Sequence, residues 1–89
     1  MKGADKMGVS YKAGSFNYAG GFARSILIEK TGNEQILLAN INKIYSSPDD
    51  AAILAKTDIE QSLVHAKNGR CQSIDHALSA MGYQKIVED

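Results

Sequence analysis

The chain has 89 residues with ten basic and ten acidic side chains, and 44% of it is hydrophobic. That is ordinary for a globular domain, and the length allows one modest core, burying roughly 60–65% of the surface the unfolded chain exposes. A net charge of zero, with only two Arg among the ten basic residues, excludes a polyanion mimic and argues against a dedicated nucleic-acid binder.

The charge is unevenly spread. Residues 1–45 carry six basic groups against three acidic ones, and residues 46–89 carry four against seven. The single cysteine, Cys71, excludes an intrachain disulfide and fits a reducing compartment. The opening MKGADKMGVS has no apolar stretch of signal-peptide length. The apolar runs Ile26-Leu27-Ile28 and Ile36-Leu37-Leu38-Ala39 are too short to span a bilayer. A cytoplasmic protein without membrane contact is the expectation, organised as a single domain over 1–89 with frayed ends at 1–7 and 87–89.

Residues 8–45 are rich in glycine, aromatics and β-branched side chains and read mainly as strand. Val9–Tyr11 is a short strand and Ala13-Gly14-Ser15 a turn. Phe16-Asn17-Tyr18 alternates apolar and polar, as a half-buried strand does. Gly20-Gly21 breaks or bends the chain. Phe22–Lys30 is the clearest strand, and Thr31-Gly32-Asn33 reads as a hairpin turn. Gln35–Ile41 is the preferred returning strand. Asn33-Glu34-Gln35 can also open a helix to Tyr45, with Leu37, Ile41, Ile44 and Tyr45 on one face.

Residues 46–83 read as helical. Ser47 is an N-cap, Pro48 takes the first helical position, and Asp49 and Asp50 complement the helix dipole. The helix runs to about Lys67, where Asn68-Gly69 ends it. Ser73 caps a short helix with Ile74, Ala77, Leu78 and Met81 on one face, stopped by Gly82. Tyr83–Val87 forms a last extended segment. At 100° per residue, Ala52, Ala55, Ile59, Leu63 and Ala66 make one narrow stripe on the long helix. Ile53 and Val64 lie about 120–140° around from that stripe, with Thr57 beside them, and Leu54 stands apart from both. One buried face does not need these residues.

Chemistry-bearing constellations are sparse. Cys71 is a candidate nucleophile, but it lies outside the first turn of the helix that Ser73 opens, and no Asn or Asp is placed to orient His65 or His76. His65, Cys71 and His76 match no common zinc spacing. Asp49 and Asp50 are explained by capping, Asp58 and Glu60 point apart on their helix, and Glu29 and Glu34 flank the hairpin turn. None forms an acid–base pair. Ala19-Gly20-Gly21-Phe22 is no phosphate loop. The reading therefore assigns no catalytic residue, no cofactor and no metal. Phe16 and Tyr18, with Lys12 and Arg24 alongside, would make a stacking platform for single-stranded nucleic acid. The preferred reading places the aromatics in the core beneath the long helix.

The stretches Asp58-Ile59-Glu60-Gln61, Ala66-Lys67-Asn68-Gly69-Arg70 and Ser73-Ile74-Asp75-His76-Ala77-Leu78 carry a likeness. Over Thr57–Tyr83 the chain resembles the C-terminal tails of bacterial toxin–antitoxin antitoxins, across under a third of its length. The N-terminal half departs from such proteins, with neither a ribbon-helix-helix strand nor helix-turn-helix spacing, so DNA binding is not implied. The resemblance implies a bacterial or phage accessory protein.

These readings combine into an α+β fold. A small antiparallel sheet of three to four strands packs against one long and one short C-terminal helix. The expected function is a non-catalytic protein-binding module of inhibitor, antitoxin or immunity-adaptor type, forming a homodimer, with Ile53, Leu54, Thr57 and Val64 as its contact residues. One rival is a nucleic-acid-binding regulator using Lys12, Phe16, Tyr18 and Arg24. The other is a small-molecule-binding domain.

Overall fold

A computed structural model describes residues 9–30, 32, 34–69 and 73–86. The expected fraying at 1–7 and 87–89 and the Cys71 assignment lie outside them. The fold is α+β. Strands β1 (Val9–Tyr18), β2 (Gly21–Lys30) and β3 (Glu34–Tyr45) are followed by helices α1 (Pro48–Lys67) and α2 (Ile74–Ala80) and a short β4 (Gln84–Lys85). The sheet is antiparallel in the order β1-β2-β3-β4.

β1 differs from expectation. It is one ten-residue strand that runs through Ala13-Gly14-Ser15 without turning, with Gly14 paired to Ser25. The turn comes after Tyr18, where Ala19 and Gly20 take φ of 53° and 79°. Positive φ at both central residues of a two-residue loop matches the right-handed twist of the flanking strands. Gly14 sits inside a strand because cross-strand pairing outweighs the turn preference of a single glycine.

β2 and β3 form the second hairpin, with Lys30 opposite Glu34. Strand therefore prevails over helix for residues 34–45, and it runs four residues past the expected end. Near its end β3 bulges. Arg24 pairs with Asn40 but Phe22 pairs with Tyr45, so the residues between bow out of register. Gly21 permits this. A Cβ there would run into the Ile44 side chain and stand 2.7 Å from the Tyr45 carbonyl oxygen. Buried Asn40 braces the bulge, accepting from the Asn42 backbone N–H at 3.1 Å and donating to the Met81 carbonyl at 3.1 Å.

The α1 signals act as expected. The Ser47 hydroxyl accepts from the Asp49 and Asp50 backbone N–H groups, and Pro48 begins the helix. The backbone N–H of Gly69 returns to the Ala66 carbonyl at the far end. Ser73 caps α2 by accepting from the His76 N–H at 3.1 Å. Both helices pack on one face of the sheet, around Ile26, Ile28, Ala55, Ile59, Leu78 and Tyr83, with Val9, Tyr11, Ala13, Ile36, Leu38, Ile74 and Met81 against them. No helix among the described residues is long and apolar enough to cross a membrane.

Two expectations about which side chains are buried are corrected. The face of α1 that meets the sheet is Ala51, Ala55, Ile59 and Ser62, rotated from the expected stripe, and Leu63 is 47% exposed. The rotation goes with an ion pair from α1 to the sheet, Asp58 to Arg24, and with a serine that is satisfied within its own helix. Ser62 donates to the Asp58 carbonyl at 2.8 Å, and Asp58 itself turns inward. The second correction concerns Phe16 and Tyr18. They pair with Ala23 and Gly21 on the sheet face opposite the helices, and Tyr18 is 43% exposed.

Candidate functional site

Three surfaces hold the residues that sequence reasoning singles out. The outer face of α1 is the first. Of the large apolar side chains that are exposed among the described residues, all but Tyr18 lie on this helix: Ile53 (62%), Leu54, Leu63 and Val64 (53%). Rotating the buried face toward Ala51 and Ser62 puts Ile53, Thr57 and Val64 about 180° away from it. The two apolar residues, with Leu54 on the flank, therefore point straight into solvent. The Thr57 hydroxyl donates to the Ile53 carbonyl at 3.3 Å. Two open concavities lie along the same side. Thr57, Glu60, Gln61, Val64 and His65 line one, and Tyr45, Asp50, Ile53 and Leu54 line the other.

The second surface is the outer sheet face. Phe16 and Tyr18 stack with ring centroids 6.4 Å apart and planes inclined by 27°. Lys12 lies on the same face and pairs with Glu29 at 3.0 Å. That ion pair, with hydrogen bonds from Gln35 and Ser10, holds the Glu29 carboxyl below its ordinary pKa. Leu27, Gln35, Leu37 and Ile86 line a shallow depression. Arg24 does not join this surface. One residue along β2 from Ala23, it points to the helix side instead.

Arg24 belongs to the third constellation, between α1 and the sheet, which sequence reasoning missed. Its Nη1 donates to Asp58 Oδ2 at 2.8 Å, and the same oxygen accepts from the Tyr83 hydroxyl at 2.6 Å. The guanidinium lies 5.9 Å from the Tyr83 ring centroid, within cation–π range. The side chains of Arg24 and Asp58 are 19% and 13% exposed. Asp58 is thus no solvated surface carboxylate. Burial first, then the hydrogen bond and charge of Asp58, push the Tyr83 phenol far above its ordinary range. Burial together with Asp75 raises Tyr11 to about 12. Arg24 Nε is buried without a partner among the described residues. The cluster is spent on fastening β2, α1 and the chain after α2 together. Its one signal in the sequence is an Asp directly before a buried Ile on a capped helix.

The remaining candidates stay apart. His76 is exposed and His65 half-buried, on different helices. No group of three or more His, Cys, Asp or Glu among the described residues could hold a metal ion. Comparison with models of known protein families, with characterised proteins and with solved structures found no match.

Proposed function

We propose that this protein is a non-catalytic protein-binding module, of inhibitor, antitoxin or immunity-adaptor type, that binds through the outer face of α1. The observation that carries the reading is the set of four exposed large apolar side chains, Ile53, Leu54, Leu63 and Val64, on one helix of a small fold. Single exposed apolar residues need no explanation, but four on one helix, with Ile53 and Val64 facing directly away from the core, favour a contact surface. An amphipathic helix offering i, i+4, i+7 and i+11 positions is a recurrent mode of protein recognition. Here Ile53, Thr57, Glu60 and Val64 stand at those positions.

The test is capture of partners from the native host by the wild type and by Ile53→Asp/Val64→Asp. Both residues are exposed, so the variant is expected to keep its fold, which circular dichroism checks. The expected result is that binding to the wild type is lost in the variant. Equal capture by both overturns the reading.

A second reading rests on the stacked Phe16 and Tyr18. Aromatics on an open sheet face next to a lysine suit the bases of single-stranded nucleic acid. Its cationic component is reduced, since Arg24 and Lys12 are both held in ion pairs. Salt-dependent binding to single-stranded oligonucleotides, lost in Phe16→Ala/Tyr18→Ala, supports this reading, and no binding at low salt removes it.

A further inference from the structure

The outer face of α1 has an internal order that names its occupant. Asp50, Ile53, Thr57, Glu60, Val64 and Lys67 follow one another at spacings of three, four, three, four and three residues. That is the a/d spacing of a heptad frame, here with Ile53 and Val64 at its two apolar positions and polar side chains at the other four. At 100° per residue all six fall within a band about 100° wide, centred opposite the buried Ala51, Ala55, Ile59 and Ser62. All six are themselves on the solvent side, and none has an ion-pair partner among the described residues.

The seam is self-complementary in one direction only. Laid antiparallel on a copy of itself, it sets Asp50 against Lys67, Ile53 against Val64 and Thr57 against Glu60, and then repeats these layers in reverse. Opposite charges meet at both ends and apolar side chains meet inside them. The flexible Glu60 stem covers the centre while its carboxylate stays at the rim. Laid parallel, Asp50 meets Asp50, Glu60 meets Glu60 and Lys67 meets Lys67, which is repulsive in three of six layers. Leu54 and Gln61 flank the seam on one side, Lys56 and Leu63 on the other. The antiparallel pairing thus covers Ile53 and Val64 and brings Leu54 and Leu63 to its two edges.

We propose that a second copy of this chain docks on α1 antiparallel, across a twofold axis near residues 58 and 59, in this register. The proposal rests on the reading of the outer face of α1 as a protein interface and adds the partner and its direction. An isologous contact of this kind closes after two copies and does not grow into a filament. The seam spans 18 residues, about 26 Å of helix, with polar central layers, so the dimer is reversible and concentration-dependent.

Cross-linking tests the register. In a Cys71→Ser background, Ile53→Cys and Val64→Cys are prepared separately, then oxidised alone and as a mixture. The expected product is a covalent dimer of one chain of each kind, formed in the mixture only. Identical positions on the two copies are eleven residues apart along the axis, about 16 Å, well beyond the roughly 7 Å Cα separation a disulfide tolerates. Disulfide dimers from each variant alone, as a parallel pairing gives, overturn the proposal, and so does the absence of cross-links in every combination. Charge reversal is the second arm. Asp50→Lys and Lys67→Asp each weaken self-association about fivefold or more, and the chain carrying both changes recovers it. Failure to recover overturns the register. If the wild type is monomeric yet Ile53→Asp/Val64→Asp still abolishes capture of a host protein, self-pairing falls and the interface reading stands. If neither property depends on these residues, both fall.

Discussion

Replacing Asp58 with alanine probes how α1 is held on the sheet, and the structure gives the size of the effect. Asp58 Oδ2 accepts two hydrogen bonds, from Arg24 at 2.8 Å and from Tyr83 at 2.6 Å. A bond to a charged group contributes about 1.5–3 kcal/mol, and a buried donor left without an acceptor costs about 1–3 kcal/mol. The Tyr83 hydroxyl is the second case, since the residue is 4% exposed. Arg24 and Asp58 keep some contact with water, which screens their attraction and places the pair below a fully buried one. The expected loss is about 3 kcal/mol, against a total of about 5–13 kcal/mol for a domain of this length. In a thermal melt that is a drop of about 12–24 °C. Asp58→Asn retains one acceptor oxygen, so it loses about half as much. Urea unfolding followed by far-UV circular dichroism measures both. A loss below about 1 kcal/mol for Asp58→Ala refutes the reasoning, because that is the cost of breaking an ordinary surface ion pair.

Three further outcomes follow from the same geometry. Ala19 holds φ of 53° in the β1–β2 turn, so Ala19→Asn creates the favoured Asn-Gly pair and raises stability by about 1 kcal/mol in urea unfolding. Gly21→Ala places a methyl against Ile44 and the Tyr45 carbonyl, so it lowers stability by about 2 kcal/mol or more in the same assay. Tyr83 and Tyr11 have pKa values raised in the fold. Both therefore hold their protons in the folded chain at pH values where the unfolded chain releases them. Their contribution is complete below about pH 10 and declines as pH rises from 10 through 12. Melting temperature accordingly falls over that window, and Tyr83→Phe/Tyr11→Phe flattens the fall.

What the sequence made legible was local chemistry. Ser47-Pro48-Asp49-Asp50 opens a helix through a hydroxyl, a missing N–H and two charges that act within one turn. Ile26-Leu27-Ile28 carries too much β-branched and apolar surface for a loop. The long-range pairings were hidden. Nothing within the reach of a turn tells that Arg24 finds Asp58 thirty-four residues away, or that Tyr83 meets it twenty-five residues on. That meeting buries polar groups on α1 and rotates its face. Leu63 is turned out as a result, while Ile53 and Val64 come to lie opposite the core. Phe16 and Tyr18 were misplaced for a related reason. Their alternation marks a strand but not which face of the sheet the helices cover. The contact residues Ile53, Leu54, Thr57 and Val64 were visible as apolar surplus. Their order as a seam emerged only once the buried face was fixed.

Light scattering over a concentration series tests the central claim most directly, that α1 keeps its outer seam for a second copy of this chain. The account predicts that the wild type rises from its 9.6 kDa chain mass toward twice that value below ~1 mM, where association is worth about 4 kcal/mol, and that Ile53→Asp/Val64→Asp stays at one chain. A wild type that remains at one chain throughout, or a variant that associates equally well, contradicts it.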